Sequence, residues 1–136
     1  MIFSGASVRR AVIALALAAL DACAATQWVM VRDSDDYIAY ADPASISRDG
    51  NLAQLSDLID LKSTRPSPLG TAHASTTAHS QFDCETPRVR TIAFFIFSGP
   101  MGSGDIVENA ALPNGWLPVA PGTLLDALRK LACREA

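Results

Sequence analysis

Two histidines are the side chains best suited to metal binding or general-base chemistry. His73 and His79 are six positions apart, so a continuous strand would place both on one face. Six residues of strand span about 20 Å, which is too far for two ligands of one ion. Many serines lie nearby, but none stands in a nucleophile elbow such as GxSxG. The sequence therefore predicts a solvated strand face here, with neither a metal site nor a catalytic serine.

A short acidic cluster offers oxygen ligands of the kind that calcium prefers. It comprises Asp33, Asp35 and Asp36. An EF-hand loop counted from Asp33 would need a glycine at its sixth position and a glutamate at its twelfth, where this chain has Ile38 and Ala44. The cluster is therefore interpreted as a capped turn between two strands.

The glycine-rich segment Ser98–Gly104 invites comparison with loops that cradle phosphate. No Lys-Ser or Lys-Thr follows it, so a flexible hairpin loop is expected. Four large aromatic side chains are candidates for core packing or for a partner surface: Trp28, Tyr37, Tyr40 and Trp116. With no paired acids, no nucleophile beside a base and no cofactor loop, the protein is not expected to be an enzyme, and no cofactor is expected.

The first 25 residues have the pattern of a cleavable signal peptide. Two arginines precede an unbroken apolar run over residues 11–20. A membrane-spanning helix needs about 20 apolar residues, whereas a signal peptide needs only about 7 to 15. Small residues follow, and cleavage is expected after Ala24 or Ala25. We therefore expect export and no transmembrane segment.

A competing interpretation concerns Cys23. In the segment Leu20–Cys23 it could be the lipidated cysteine of a lipoprotein cleavage box. Asp21 argues against this alternative, because the residue two positions before such a cysteine is normally small and uncharged. Lipid anchoring at Cys23 stays open, and mass spectrometry of the mature N-terminus distinguishes the two.

Length and charge limit the remaining chain to one acidic domain. Residues 26–136 are enough for a single domain. The whole chain has a net charge of −3, and removing two arginines and one aspartate with residues 1–25 leaves about −4. No basic face is present to neutralise phosphates, so nucleic acid and anionic lipid are poor partners.

Two cysteines remain in the mature chain. Cys84 and Cys133 are 49 positions apart, and an exported chain meets oxidising conditions, so a disulfide is expected. Closing a loop of this size stabilises a domain by about 4 kcal/mol in the chain-entropy model.

Alternating and β-branched segments predict an antiparallel meander. The expected strands are Trp28–Val31, Tyr37–Tyr40, Leu52 to about Asp60, Ala72–Cys84, Val89–Phe97 and Asp105–Asn109. Asp42-Pro43 should stop the second strand, because proline lacks the N–H that a ladder needs. A tight turn is expected at Asp49–Asn51, and the longest loop at Lys62–Thr71. Val89–Phe97, the most apolar segment, is expected at the centre of the sheet.

One helix is predicted near the C-terminus, after an irregular segment at Leu112–Trp116. Thr123–Asp126 resembles a capping box with aspartate in place of glutamate. One apolar stripe should face the sheet, consisting of Leu124, Leu125, Leu128, Leu131 and Ala132. A regular helix would aim Cys133 about 140° from the middle of that stripe. The helix should therefore end near Ala132, so that Cys133 can reach Cys84.

The order of these features resembles that of a known family. The matching pieces are Trp28–Val31, Tyr40–Ile46, Gly50–Leu52, Phe82–Cys84 with Arg88 and Arg90, Ser98–Gly104, Trp116 with Pro118, Pro121–Thr123 and Leu131–Cys133. In these pieces the chain resembles the surface-adhesin protein E family of small secreted bacterial proteins.

The resemblance implies an α+β fold: an antiparallel sheet of about six strands, with the C-terminal helix packed on one face and tied by Cys84 and Cys133. It also implies an exported, non-enzymatic binding protein, adhesin-like, whose partners are host or envelope proteins. A homodimer is a further expectation. Alternatives are a periplasmic housekeeping or stress-related envelope protein and a small secreted hydrolase.

Overall fold

The fold is an antiparallel sheet with one C-terminal helix. The computed structural model describes residues 26–67, 69–111 and 115–134. The strands are β1 (Val29–Asp33), β2 (Tyr37–Asp49), β3 (Leu52–Pro66), β4 (Ala72–Asp83), β5 (Arg88–Phe97), β6 (Ile106–Ala110) and β7 (Leu117–Pro118), and the helix is α1 (Leu124–Ala132). The predicted fold class is confirmed. The predicted signal peptide, residues 1–25, lies outside the described residues, as do residues 112–114 of the predicted irregular segment.

Strands β1 to β6 pair in chain order, so neighbours in sequence are neighbours in the sheet. The predicted turn at Asp49–Asn51 connects β2 and β3, with Gly50 at a φ of 59°. That positive φ is a conformation glycine adopts without steric cost. The outer edge of β5 is shared, because β6 pairs with its C-terminal half and β7 with its first two residues. The short strand β7 was not predicted.

The prediction that Asp42-Pro43 stops the second strand was wrong, because β2 runs on to Asp49. Its ladder to β3 is interrupted between Asp42 and Ser47. Pro43 lies in this bulge, where no ladder N–H is required. The side chain of Ser45 replaces part of the ladder, since its Oγ accepts from the Ser56 N–H at 2.8 Å.

The first half of the predicted long loop over residues 62–71 is also strand. Strand β3 continues to Pro66, with its pairing to β4 interrupted between Asp60 and Arg65. The exposed extension is held by the turn between β1 and β2: the Lys62 backbone N–H donates to the Asp36 carbonyl at 2.9 Å. The polar composition of this segment correctly indicated solvent exposure. It did not exclude a strand that is held by hydrogen bonds to a neighbouring turn.

Strand β5 is not the centre of the sheet, contrary to prediction. It is fifth in the order, whereas β3 and β4 are the middle pair. Phe95 of β5 is 37% exposed, while Leu55 and Leu58 of β3 are fully buried. In a meander the chain order fixes each strand's position. The apolar composition of β5 therefore does not show that this strand lies at the centre of the sheet.

The core lies between α1 and one end of the sheet. Its buried members are Ala41, Ala53, Leu55, Phe82, Val89, Val119, Leu128 and Ala132. Leu124 and Leu131 pack against this cluster, as predicted. Leu125 does not, because it is 40% exposed. It lies about 100° around the helix from Leu124, at the margin of the stripe.

The start of α1 is capped as the sequence predicted. The Asp126 backbone N–H donates to Thr123 Oγ1 at 3.3 Å. In return, Asp126 Oδ2 accepts from the Gly122 N–H at 3.0 Å, which satisfies a second donor at this helix end. This bond, followed by that of Lys130, holds the pKa of Asp126 below its usual value.

The disulfide closes the other end of α1. Cys84 and Cys133 are bonded, with their Cα atoms 5.5 Å apart. The helix ends at Ala132, and Cys133 has a φ of −88° and a ψ of 0°. The predicted helix end is therefore confirmed. Two hydrogen bonds support the bridge: Arg48 Nη1 donates to the Cys133 carbonyl at 2.9 Å, and Arg129 Nε donates to the Asp83 carbonyl at 2.7 Å.

Replacing both bridge cysteines by serine should destabilise the domain without changing its fold. The 49-residue separation predicts a loss of about 4 kcal/mol in the free energy of unfolding, because the unfolded chain regains the freedom of the open loop. Urea unfolding of the oxidised wild type and of the double variant measures this loss. Equal unfolding midpoints and m-values for the two proteins would contradict the prediction.

Candidate functional site

A concave site lies on the sheet face opposite α1, here called the outer face. It is a pocket of about 220 Å³ whose lining includes Trp28, Asp42, Ser56, Thr77, His79 and Phe95. Strand register builds it. Asp42 is opposite Ser56 on β3, and Ser56 is opposite His79 on β4. Directly opposite residues share a face, so side chains distant in sequence form one row across the sheet.

The second row of the pocket is apolar. Thr77 pairs with Leu58 on one side and with Phe95 on the other. The same row continues through Tyr40 to Met30 of β1. Met30 is 59% exposed and Phe95 is 37% exposed. The outer face thus presents exposed apolar side chains beside a polar row.

Three polar side chains form a hydrogen-bonded chain at the pocket. Ser56 Oγ is 2.9 Å from His79 Nδ1, and His79 Nε2 is 2.8 Å from Gln54 Oε1. With the Gln54 oxygen as acceptor, Nε2 carries the imidazole proton and Nδ1 accepts the Ser56 hydroxyl proton. Sequence reasoning missed this pairing. Ser56 meets His79 only because of the β3–β4 register. That register cannot be predicted from the sequence when the strand ends are not known.

A serine hydrogen-bonded to a histidine supplies two groups that acyl transfer needs, a nucleophile and a general base. The third is a set of N–H groups aimed at the developing oxyanion. The N–H of Ser56 itself is already donated to Ser45 Oγ at 2.8 Å. Ser56 also lies in the middle of a strand, without the sharp turn that exposes a nucleophile. This geometry suits a polar pocket floor better than a nucleophile.

His73 stands apart from this chain. It lies six residues before His79 on β4 and is opposite Arg65. Within residues 26–67, 69–111 and 115–134, no group of three or more His, Cys, Asp or Glu side chains is placed to hold a metal ion. The two histidines are therefore not brought together.

The acidic cluster forms a turn stabilised by ion pairs. The Ser34 N–H donates to the Tyr37 carbonyl at 2.9 Å. Asp33 Oδ1 lies 2.7 Å from Lys62 Nζ, and Asp36 Oδ1 lies 3.5 Å from Arg65 Nη2. Two of the three carboxylates thus face strand β3 and its basic extension.

The glycine-rich segment forms a cover over part of the outer face. Its Met101 N–H donates to Asp60 Oδ1 at 2.8 Å, and its Gly102 N–H donates to Ser75 Oγ at 2.9 Å. A Cβ on Gly102 would lie 3.5 Å from Leu58 Cδ1, and its φ is 71°. These two N–H groups are therefore occupied by side chains of the protein itself and do not cradle a phosphate.

The four aromatic candidates are all half-buried. Trp116 is held by two cations, with the guanidinium carbons of Arg88 and Arg90 lying 4.5 Å and 4.7 Å from its ring centroid. Arg88 Nε also donates to Asp83 Oδ2 at 2.9 Å. The N–H groups of Thr86 and Glu85, with Arg88 contributing less, hold the pKa of Asp83 below its usual value. Both arginines are therefore engaged within the domain.

One buried carboxylate was not singled out from the sequence. Asp57 is only 8% exposed, and its neighbours across the two ladders are Ala41 and Ala78. Burial raises the pKa of Asp57 from 3.8 to about 7. Because Asp57 follows Ala53 and Leu55 at a spacing of two residues, strand alternation could have placed it on the helix-facing side.

Asp57→Asn should stabilise the protein at neutral pH. The folded state holds the Asp57 proton more tightly than the unfolded state, so wild-type stability falls as pH rises from about 4 to about 7. A pKa change of this size corresponds to a loss on the order of 4 kcal/mol above pH 7. Urea unfolding at pH 5 and pH 8 should show a weaker pH dependence in Asp57→Asn.

The exposed Asp35→Asn is the matched control and should leave the pH profile unchanged. An Asp57→Asn protein with the wild-type pH profile would show that burial does not govern this carboxyl.

These features define a class of protein: a small disulfide-closed antiparallel meander, with one C-terminal helix on one face and an open face carrying a pocket. The chain belongs to the Surface-adhesin protein E family, whose family model matches residues 28–134. The predicted family is thereby confirmed. A comparison with curated proteins finds no match.

Solved structures of protein E from Haemophilus influenzae share the fold. The protein E chain in crystal form II has 17% sequence identity to this chain and a TM-score of 0.53, and the match covers 80% of this chain and 93% of that chain. Protein E from a non-typeable Haemophilus influenzae is 18% identical, with a TM-score of 0.52 over 76% of this chain and 75% of that chain. At this identity the likeness establishes a common architecture.

Proposed function

We propose that this chain is an exported, non-enzymatic binding protein of the bacterial cell envelope that attaches to other proteins through its outer face. Family membership supports an adhesin-like surface protein. The observation that carries the assignment to this face is the exposure of two apolar side chains on it: Met30 is 59% exposed, and Phe95, which lines the pocket, is 37% exposed. Exposed apolar side chains grouped at a concave site are typical of protein-binding surfaces.

The proposed export fits the predicted signal peptide over residues 1–25, which leaves one domain over 26–136. In the described residues no helix is long and apolar enough to span a membrane. We place the mature protein at the surface or outside the cell, with the periplasm and a lipid anchor at Cys23 as the alternatives. Mass spectrometry of the mature N-terminus, together with protease treatment of intact cells, distinguishes these locations.

Outer-face substitutions should weaken partner binding. The mature domain is tested against immobilised extracellular-matrix and plasma proteins by surface plasmon resonance. Saturable binding at micromolar or lower concentration is expected for the wild type. Met30→Ser with Phe95→Ser should weaken it at least tenfold, because both side chains would lose apolar contact with the partner.

The matched control is Leu117→Ser with Leu125→Ser. These side chains are 60% and 40% exposed, close to the exposures of Met30 and Phe95, but they lie on β7 and α1. Thermal unfolding verifies that both pairs remain folded. Absence of binding across the panel would remove the adhesin function and leave the periplasmic alternative. Equal weakening by both pairs would contradict the assignment to the outer face.

A homodimer is part of this proposal. Strand β1 is an edge strand of the described sheet, and an unpaired edge can add a second copy by backbone hydrogen bonding. Val29 on this edge is 51% exposed. Light scattering at high concentration should give twice the monomer mass. A monomer at that concentration would refute edge pairing.

A small hydrolase is the second candidate, and the hydrogen bond between Ser56 and His79 is the observation that motivates testing it. A fluorophosphonate probe tests it, since only an activated serine is labelled. Labelling that disappears in Ser56→Ala would establish this alternative, and absence of labelling would support the non-enzymatic proposal.

A further inference from the structure

The outer-face pocket has the size of a single side chain. Its volume is about 220 Å³, equal to roughly seven waters at about 30 Å³ each. Cofactors and drug-sized ligands occupy clefts of about 300 to 1,000 Å³. The pocket opens to the surface, so a group carried on a larger molecule can enter it.

Two aromatic rings and a carboxylate line this pocket. Trp28 precedes Val29, which is opposite Ala41, so Trp28 lies beside Asp42. Phe95 lines the pocket from β5. Aromatic faces attract cations, with tryptophan the strongest. The combination of indole, phenyl ring and carboxylate is complementary to a positive charge.

The carboxylate of Asp42 is available for such a charge. Its Oδ1 accepts from the Ala44 N–H at 3.1 Å. No ion pair involves Asp42 within the described part of the chain, whereas Asp33, Asp36, Asp83 and Asp126 all have basic partners there. Asp42 is thus an acid at the pocket without a basic partner, as are several acids elsewhere in the described residues, and its negative charge is not compensated there.

The hydroxyl groups of the pocket select the kind of cation. Ser56 gives its proton to His79 when His79 Nε2 donates to Gln54, so the Ser56 oxygen has acceptor capacity left. Thr77, which also lines the pocket, is a second residue that carries a hydroxyl. A primary ammonium carries three N–H donors, whereas a quaternary ammonium carries none. The rings can then contact an attached methylene stem.

We propose that this pocket binds a primary alkylammonium group, held by Asp42 and the rings of Trp28 and Phe95. A lysine side chain of a partner protein and a free alkylamine share this chemistry. The site does not depend on the adhesin-like function, because an isolated amine is enough to occupy it. Loss of matrix-protein binding and loss of amine binding are therefore separate results.

Amine titration of the isotopically labelled mature protein tests the site by NMR. The probes are Nα-acetyl-lysine N-methylamide, n-butylamine and Nα-acetyl-norleucine N-methylamide, which has the lysine stem without the charge. We expect saturable shifts of the Trp28 indole N–H with lysine amide at a Kd of about 1 mM or lower. The norleucine compound should bind at least tenfold more weakly. Lysine amide binding more tightly than butylamine points to a protein side chain, and the reverse points to a free amine.

Two variants assign the contacts. Asp42→Asn keeps an oxygen that can accept from the Ala44 N–H, so the bulge is retained while the charge is lost. Asp42→Asn and Trp28→Leu should each raise the Kd for lysine amide at least tenfold. Asp35→Asn, an exposed acid in the turn before β2, should leave the Kd unchanged. Unperturbed amide shifts in α1 verify the fold of each variant.

A free α-amine of the chain itself would compete for this pocket. Cleavage after Ala25 would leave an α-ammonium on Thr26, which lines the pocket. The titration is therefore repeated on protein with an acetylated N-terminus. Binding by either form supports an ammonium site. No saturable shift in both forms, equal binding of the norleucine compound, or an unchanged Kd in Asp42→Asn would overturn the proposal.

Discussion

The antiparallel register of β2, β3 and β4 is the constraint on which the rest of the molecule depends. It places Ala41, Ala53 and Leu55 beneath α1, where the two alanines allow the helix to approach the sheet closely. The same pairing aligns Asp42, Ser56 and His79 on the opposite face. A shift of one residue would exchange the two faces. Core and pocket are therefore two sides of one hydrogen-bond pattern.

Local chemistry made several elements predictable from the sequence. The glycine turn at Asp49–Asn51, the cap at Thr123 and the helix end at Ala132 each follow from groups within a few residues of one another. The Cys84–Cys133 bond was predictable because the expected removal of residues 1–25 would leave only these two thiols. For the turn, the cap and the helix end, the interaction that decides the structure lies within a short segment of the sequence.

The errors arose where a strand is supported by distant partners. Pro43 suggested a strand end, but the hydroxyl of Ser45 replaces the missing ladder contact to β3. Residues 62–66 are polar, yet the turn between β1 and β2 holds them extended through Asp33 and Asp36. The pocket was missed for the same reason, because its lining comes from four strands and no short segment contains it.

The disulfide also decides how the domain would carry mechanical load. Cys133 follows the last residue of α1, and Cys84 follows the last residue of β4, a middle strand. Tension applied to the chain beyond Cys133 would pass through the sulfur–sulfur bond into the centre of the sheet. The helix lies outside that route and would not be unwound first. In a domain without this disulfide, the same force would first detach the terminal helix. Here it acts on β4, a strand that is hydrogen-bonded to a neighbour on each side.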